Sequence, residues 1–322
     1  MKPFLAGHED LRLATCSSDQ HIKVFDKTDN DEWESNDMWK AHDSAVVKVT
    51  WASPEYGQVL ASCSHDCSVR IFEEDSREPI NSGKRWKRRH IISDFKGPLY
   101  DLEFAPSHLG LKLASIGSDG VFRIHEALDP NSMNYWTALV EITMLSTPPK
   151  ESLQSCFALS WCPSLFFKES IVVCVLDDAF IYQKDSMGKF VRAAQLPEHK
   201  GLIRDVAWAP SMGRGYQLIA TASKDGYVRI FKVSQPSDEA SNHGFGPQGN
   251  LTIPELNVEL LSQFDDHQGE VWRVSWNLTG TVLASSGDDG KVRFWKSSYS
   301  SEFQCMAVVS AEERGEEAIE EV

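Results

Sequence analysis

The sequence is short of the residues that specialised chemistry starts from. It has seven cysteines in 322 residues, and no two stand as C-x-x-C. That spacing begins most structural zinc sites and redox dithiols, so neither is expected. An odd number also argues against a disulfide framework. The cysteines sit mostly in apolar runs, as in Phe157-Ala-Leu-Ser-Trp161-Cys162 and Ile171-Val-Val-Cys174-Val175. They are expected to be reduced core residues of an intracellular protein. No glycine-rich phosphate loop leads from a strand into a helix, and helix-period patterns are nearly missing. No apolar run reaches the length of a membrane span, and Met1-Lys-Pro-Phe-Leu-Ala-Gly7 has no signal-peptide core. Membrane attachment is therefore expected only through partners. Positive charge is scarce as well: 32 Lys and Arg stand against 47 Asp and Glu, a net charge of −15. Such a surface repels a phosphate backbone, so direct nucleic-acid binding is not expected. Acidic pairs such as Asp265-Asp266 and Asp288-Asp289 fall in turns, where Asp bonds the local backbone. No catalytic residue, cofactor or metal is expected.

What the sequence does have is a repeat. An alternating apolar strand ends in Trp or Phe, a strand of small residues ends at Asp, and a third strand alternates basic with apolar residues. The clearest copy is Glu270-Val-Trp-Arg-Val-Ser-Trp276, Thr281-Val-Leu-Ala-Ser-Ser-Gly-Asp-Asp289 and Gly290-Lys-Val-Arg-Phe-Trp295. Others run from Ala45 to Phe72, Leu99 to His125 and Ile203 to Phe231, with a degenerate copy from Phe157 to Tyr182. The first copy is Arg12 to Asp19 with His21 to Phe25. In five of the six copies the turn Asp is followed six residues later by Phe25, Phe72, His125, Phe231 or Trp295. That constancy sets a hairpin register, because a one-residue slip would turn every side chain over. A fourth strand follows the third, as in Leu139-Val-Glu-Ile-Thr143. Period-two alternation, Asp/Gly turns and four strands per unit describe an all-β propeller of six blades.

The same pattern accounts for its polar residues. His42, His199 and His267 each precede a first strand, and Asp19, Asp66, Asp119, Asp225 and Asp289 close the following hairpins. With a hydroxyl residue of the second strand, and Trp295 in the last copy, they are expected to form buried networks that pin the turns. A catalytic or metal-binding reading fails on repetition, since an active site needs such a set only once.

These residues resemble the WD40 family. Within it, Ala14-Thr-Cys-Ser-Ser-Asp-Gln-His-Ile-Lys-Val-Phe25, Trp51-Ala-Ser-Pro-Glu-Tyr-Gly57, Phe104-Ala-Pro-Ser-His-Leu-Gly-Leu-Lys-Leu-Ala114 and Val271-Trp-Arg-Val-Ser-Trp-Asn-Leu-Thr-Gly280 resemble the Seh-type nucleoporins. These are kin of the Sec-type propeller of the COPII coat, and the resemblance spans nearly the whole chain. It implies a scaffold subunit of the Y-shaped complex of the nuclear pore. It also implies a place in the vacuole- or lysosome-associated SEA (GATOR-type) complex that regulates TOR signalling. In that family the propeller is open, and an α-solenoid nucleoporin contributes a blade in trans. A peptide- or histone-reading adaptor is the alternative that fold alone leaves open.

Openness is also expected from the residues. The last unit supplies its own fourth strand, Phe303 to Val309, and nothing at the N-terminus reads as a latch. Exposed sheet edges invite strand addition. Apolar residues of the end blades (Phe4, Leu13, Val24, Phe303, Met306 and Val308) are the candidate partner contacts. The first blade departs from the pattern. His42 lies 24 positions before Asp66 but His8 only 11 before Asp19, so a strand and its turn are short. Either the blade lacks its inner strand or a stretch of chain is missing, and the second reading covers Leu13 and Val24 better. The propeller is expected over residues 1–310, with a disordered loop at about 235–254 and a disordered acidic tail at 311–322. Lys84-Arg-Trp-Lys-Arg-Arg-His90, the one basic run, reads as a solvated outer strand and loop, or else as a localisation signal or a docking patch for an acidic partner.

Overall fold

The computed structural model describes residues 4–6, 10–149, 154–235, 256–298, 302–310 and 319–321, for residues 4–6, 10 and 319–321 the backbone only. The chain divides into two compact units, Met1–Ser155 and Cys156–Val322. Each carries three antiparallel sheets, and the described residues contain no α-helix.

In the first unit, blade 1 is β1 (Phe4–Ala6), β2 (Asp10–Cys16), β3 (His21–Lys27) and β4 (Trp33–Lys40). Blade 2 is β5 (Val46–Trp51), β6 (Val59–Ser64), β7 (Val69–Glu74) and β8 (Trp86–Ile92). Blade 3 is β9 (Leu99–Phe104), β10 (Lys112–Gly117), β11 (Val121–Ala127) and β12 (Trp136–Thr143). In the second unit, blade 4 is β13 (Phe157–Trp161), β14 (Ser170–Val175), β15 (Asp178–Lys184) and β16 (Phe190–Leu196). Blade 5 is β17 (Ile203–Trp208), β18 (Gln217–Ser223), β19 (Val228–Ser234) and β20 (Asn257–Phe264). Blade 6 is β21 (Val271–Trp276), β22 (Val282–Gly287), β23 (Lys291–Ser297) and β24 (Phe303–Ser310), joined at its edge by β25 (Ile319–Glu321). These are the six propeller blades that the repeat predicts.

Blade 1 is short in the expected place. Three strands of seven or eight residues are complete, and its first position holds only the three residues of β1. The loop expected at 235–254 lies outside the described residues, apart from Gln235. So do residues 311–318 and 322 of the acidic tail, whose Ile319–Glu321 pair with β24.

The regular aromatic after each turn Asp has a geometric meaning. In every blade the pairing of the third with the fourth strand shifts by one residue just before it. The shifts lie at Val24/Phe25, Ile71/Phe72, Ile124/His125, Ile181/Tyr182, Ile230/Phe231 and Phe294/Trp295. Such a bulge sharpens the twist of the outer strand. The degenerate fourth copy keeps it at Tyr182 although it has lost the turn Asp pattern.

Alternation then gives each sheet two apolar faces. In blade 5, Ile219 and Phe231 pack with Val172 and Ile181 of blade 4, while Ala220, Ala222, Val228 and Ile230 pack with Val271, Val274 and Leu283 of blade 6. In the first unit, Ala14, Ile22 and Val24 of blade 1 meet Leu60 and Phe72 of blade 2. Val59, Ala61 and Ile71 of blade 2 meet Leu99, Leu102 and Leu113 of blade 3. The hairpin Asn277-Leu-Thr-Gly280 shows how tightly neighbours fit. Asn277 Oδ1 accepts the N–H groups of Thr281 and Val282 at 2.8 and 3.1 Å. Gly280 has φ +62°, and a Cβ there would stand 2.2 Å from the Pro210 carbonyl of blade 5.

All seven cysteines are free thiols, with Cys63, Cys162 and Cys174 buried. Burial pushes the Cys162 thiol up to about 12 and Cys63 well above its usual value, which keeps both unreactive.

Candidate functional site

The turn networks come first, because they resemble a catalytic triad in composition. In blade 2, His42 Nδ1 lies 2.9 Å from Asp66 Oδ2 and its Nε2 lies 2.8 Å from Ser62 Oγ. A carboxylate only accepts, so Nδ1 carries the hydrogen and Nε2 accepts the serine hydroxyl. Asp66 also accepts the backbone N–H groups of Asp43 and Ser68, each at 3.1 Å. In blade 6, His267 Nδ1 lies 2.9 Å from Asp289 and Nε2 2.8 Å from Ser285 Oγ, which also accepts Trp295 Nε1 at 2.8 Å. Yet His42 and Ser62 are wholly buried and Ser285 is 1% exposed. A nucleophile sealed away from substrate has nothing to attack. These strings are structural pins.

The other blades carry the network in part. In blade 5, His199 Nε2 meets Thr221 Oγ1 at 2.9 Å, but its Nδ1 does not reach Asp225. Arg229 takes that carboxylate with both terminal nitrogens, at 3.1 and 2.8 Å. Burial, reinforced by the Arg229 charge, lowers His199 to about 4, and burial likewise lowers His42. Burial raises Asp66, Asp225 and Asp289, but their hydrogen bonds outweigh it and hold all three below the usual carboxylate range. In blade 3, Phe95 occupies the position of the His, and the buried hydroxyl of Ser115 has no hydrogen-bond partner. Asp119 there accepts Val121 N–H at 3.1 Å and Arg123 at 2.8 Å. In blade 1, Asp19 is exposed and its carboxylate accepts His21 N–H at 3.0 Å.

One member of the network was legible in the repeat but not singled out there. Four residues after the turn Asp stands Arg70, Arg123, Arg229 or Arg293, and each pairs with that Asp. Arg123 and Arg229 are nearly fully buried. The recurring base of the third strand was the signal.

The candidate partner contacts are tested for exposure by comparing end blades with inner ones. In blade 5, Leu218, Ala220, Ala222, Val228 and Ile230 are between 0% and 2% exposed. The matching residues of blade 6, Val282, Ala284, Ser286, Val292 and Phe294, are all partly exposed, as are Ala307 and Val309 beside them on β24. In blade 2, Leu60 and Phe72 are 0% and 3% exposed. Their counterparts in blade 1, Leu13 and Phe25, are paired across β2 and β3 and partly exposed. Each end blade thus presents one apolar face with less cover than an inner blade gives the same positions.

The candidate contacts divide accordingly. Leu13 lies on the open face. Val24 does not: it pairs with Ala14, points to the opposite face and is fully buried against blade 2. Phe303 is buried as well, edge-on to Trp276 at 5.8 Å. Val308 pairs with Arg293, on the face opposite Phe294. Met306 is the unpaired residue of the bulge and is 45% exposed. Phe4 pairs with Arg12 through its backbone, and its side chain is outside the described residues. Phe25, Val292 and Phe294 are the residues to add.

Among the described residues no cluster of metal-ligating side chains occurs, and no helix is long and apolar enough to cross a membrane. Comparison with known proteins agrees with the blades. The model of the WD domain, G-beta repeat, matches residues 33–73, 190–232 and 258–296. Each match begins on a fourth strand and ends on the third strand of the next blade, so the sequence repeat straddles two sheets. The chain is 49% identical to nucleoporin SEH1 of Saccharomyces cerevisiae over 350 residues, covering 97% of this chain and 100% of that protein. Nucleoporin seh1 of Schizosaccharomyces pombe is 43% identical over 313 residues (95% of this chain, 91% of that protein). Nucleoporin SEH1 of Homo sapiens is 38% identical over 329 residues (94% and 86%). The alignment with the budding-yeast protein has at least 350 − 322 = 28 positions that this chain does not fill.

Proposed function

This chain belongs to the SEH1 family of WD40 nucleoporins, structural proteins and not enzymes, and we propose that it is a scaffold subunit of the nuclear pore complex. Its place is the Y-shaped subassembly, where an α-solenoid nucleoporin inserts a blade against the two end blades. The observation that carries this reading is the pair of under-covered faces, Leu13 and Phe25 on blade 1 and Val282, Ala284, Val292 and Phe294 on blade 6. In blades 2 and 5 the matching positions stack on another sheet, and a β-rich segment from outside would cover the end faces in the same way. Burying apolar surface stabilises by about 25 cal/mol per Å² removed from water, so the pairing is favourable without any polar chemistry. The same faces would serve a related α-solenoid in the SEA (GATOR-type) complex that regulates TOR signalling. That gives the protein a second location, at the vacuole or lysosome membrane through its partners.

Co-expression with the N-terminal segment of the α-solenoid nucleoporin tests the reading. The complex is expected to be monodisperse and to melt well above the isolated chain. An isolated chain as stable and monodisperse as the mixture contradicts blade insertion.

A further inference from the structure

We propose that a cleft between blades 1 and 2 is a docking site for a short acidic segment of a partner protein. The cleft has a volume of 530 Å³ and lies between the outer strands β4 and β8. Buried Trp39, Phe72 and Trp86 line it together with Lys40, Arg70 and Arg88, and no carboxylate does. In a chain of net charge −15, an acid-free lining is the exception that needs a reason.

The basic run supplies part of that reason. On β8, Lys87 points away from Trp86 and Arg88, and Arg89 is the unpaired residue of the bulge between Arg88 and His90. Lys87 pairs with Asp75 at 2.6 Å, Arg89 with Glu73 at 2.5 Å and Arg85 with Glu74 at 2.5 Å. Those three cations are neutralised within the blade. Arg88 is exposed, makes no ion pair among the described residues, and shares the face of Trp86 in the cleft. Lys40 is exposed too, with Asp43 no nearer than 4.0 Å.

The site is built before any ligand arrives. Asp37 accepts Gly83 N–H at 2.8 Å and Arg85 N–H at 3.0 Å, which ties the loop before β8 onto β4. Trp39 and Trp86 stack with centroids 5.5 Å apart and planes 13° from parallel. Arg70 is held by the Ala41 carbonyl at 2.9 Å and is already paired with Asp43 at 2.6 Å and Asp66 at 3.3 Å, which leaves Lys40 and Arg88 as the cations free for a ligand. Trp39 keeps its Nε1 hydrogen buried without an acceptor. A carboxylate brought by a ligand answers the two exposed cations, Lys40 and Arg88. The volume suits a few residues of an extended peptide, whereas a long polyanion would meet the negative remainder of the surface. The site lies on the face of blade 1 opposite Leu13 and Phe25, so it is separate from the faces assigned to the inserted blade.

A fluorescein-labelled nonapeptide, three repeats of Glu-Asp-Leu, is titrated with the full chain at low salt and followed by anisotropy. Saturable binding is expected, weakened at least tenfold by Arg88→Glu and by Lys40→Glu, and changed less than twofold by Arg89→Glu. The matching Lys-Arg-Leu peptide is expected not to bind. No saturable binding overturns the proposal, as does equal loss in the Arg88 and Arg89 variants. Competition by oligo-dT as effective as that of unlabelled peptide also overturns it, by showing a general anion patch.

Discussion

Three buried hydroxyls at one position of the repeat should differ in worth according to what they bond. Ser285 donates to His267 Nε2 and accepts from Trp295 Nε1, both at 2.8 Å. Ser62 serves only the ring of His42, at 2.8 Å, because Phe72 stands where blade 6 has Trp295. Ser115 bonds nothing. Each buried polar group left unpaired costs about 1–3 kcal/mol. Ser285→Ala strands two groups and should cost about 2–6 kcal/mol, and Ser62→Ala strands one, about 1–3 kcal/mol. Ser115→Ala removes an unpaired hydroxyl and should leave stability unchanged or slightly raised. For a chain of this length, at roughly 2.1 cal/mol/K per residue, 1 kcal/mol moves Tm by about 1.5 °C. The expected falls are therefore about 3–9 °C for Ser285→Ala and about 1.5–4.5 °C for Ser62→Ala, with none for Ser115→Ala. Scanning calorimetry of the three variants beside the parent gives the order directly. If Ser115→Ala costs as much as Ser285→Ala, the polar-network account is wrong and the position matters only for packing.

Acid should weaken the fold before the carboxylates titrate. An unfolded His takes its proton near pH 6.5, whereas folded His199 takes it at about 4. Between those values the unfolded chain binds more protons, so stability falls as pH drops, by up to about 3 kcal/mol. Urea titrations at pH 7 and 5 should show that loss, and His199→Gln should shallow it; an unaltered slope in the variant refutes the assignment. Asp225→Asn should cost about 3–5 kcal/mol, because Arg229, 1% exposed, loses the charge it is paired with. Denaturant midpoints measure it, and a loss under 1 kcal/mol would mean that the pair adds little. Phe294→Asp should abolish partner capture while leaving the circular dichroism spectrum intact, whereas Val24→Asp should unfold the first unit. Partner capture unaffected by the Phe294 change counts against the end-face assignment.

Much of this was readable in the residues, and the gaps have physical causes. Period-two alternation and the turn Asp residues were enough to place the second and third strands of all six blades, even the degenerate fourth, whereas β1, β4, β16 and β25 were not singled out. The constant aromatic was legible as a landmark, but its cause, a bulge against the fourth strand, depends on pairing between strands. The histidine networks were only half legible. His42 and His267 reach their Asp, while His199 is displaced from Asp225 by Arg229, a competition that composition does not decide. The partner face was misjudged at Val24 for a simple reason. Burial by a neighbouring blade selects one face of each sheet, and apolar character alone does not say which. Leu13 pairs with Phe25 and Ala14 with Val24, so register settles it. The basic run looked like a single patch, yet three of its cations are spent on Glu73, Glu74 and Asp75.

The most direct test of the account is photo-crosslinking from the two end faces in the native assembly. A photoreactive phenylalanine analogue is placed at Phe294 in one preparation and at Phe25 in another, and the crosslinked products are identified by mass spectrometry. Blade insertion predicts that both positions label the same short region of one α-solenoid nucleoporin. Labelling of two unrelated proteins, or of no partner from either face, would contradict it.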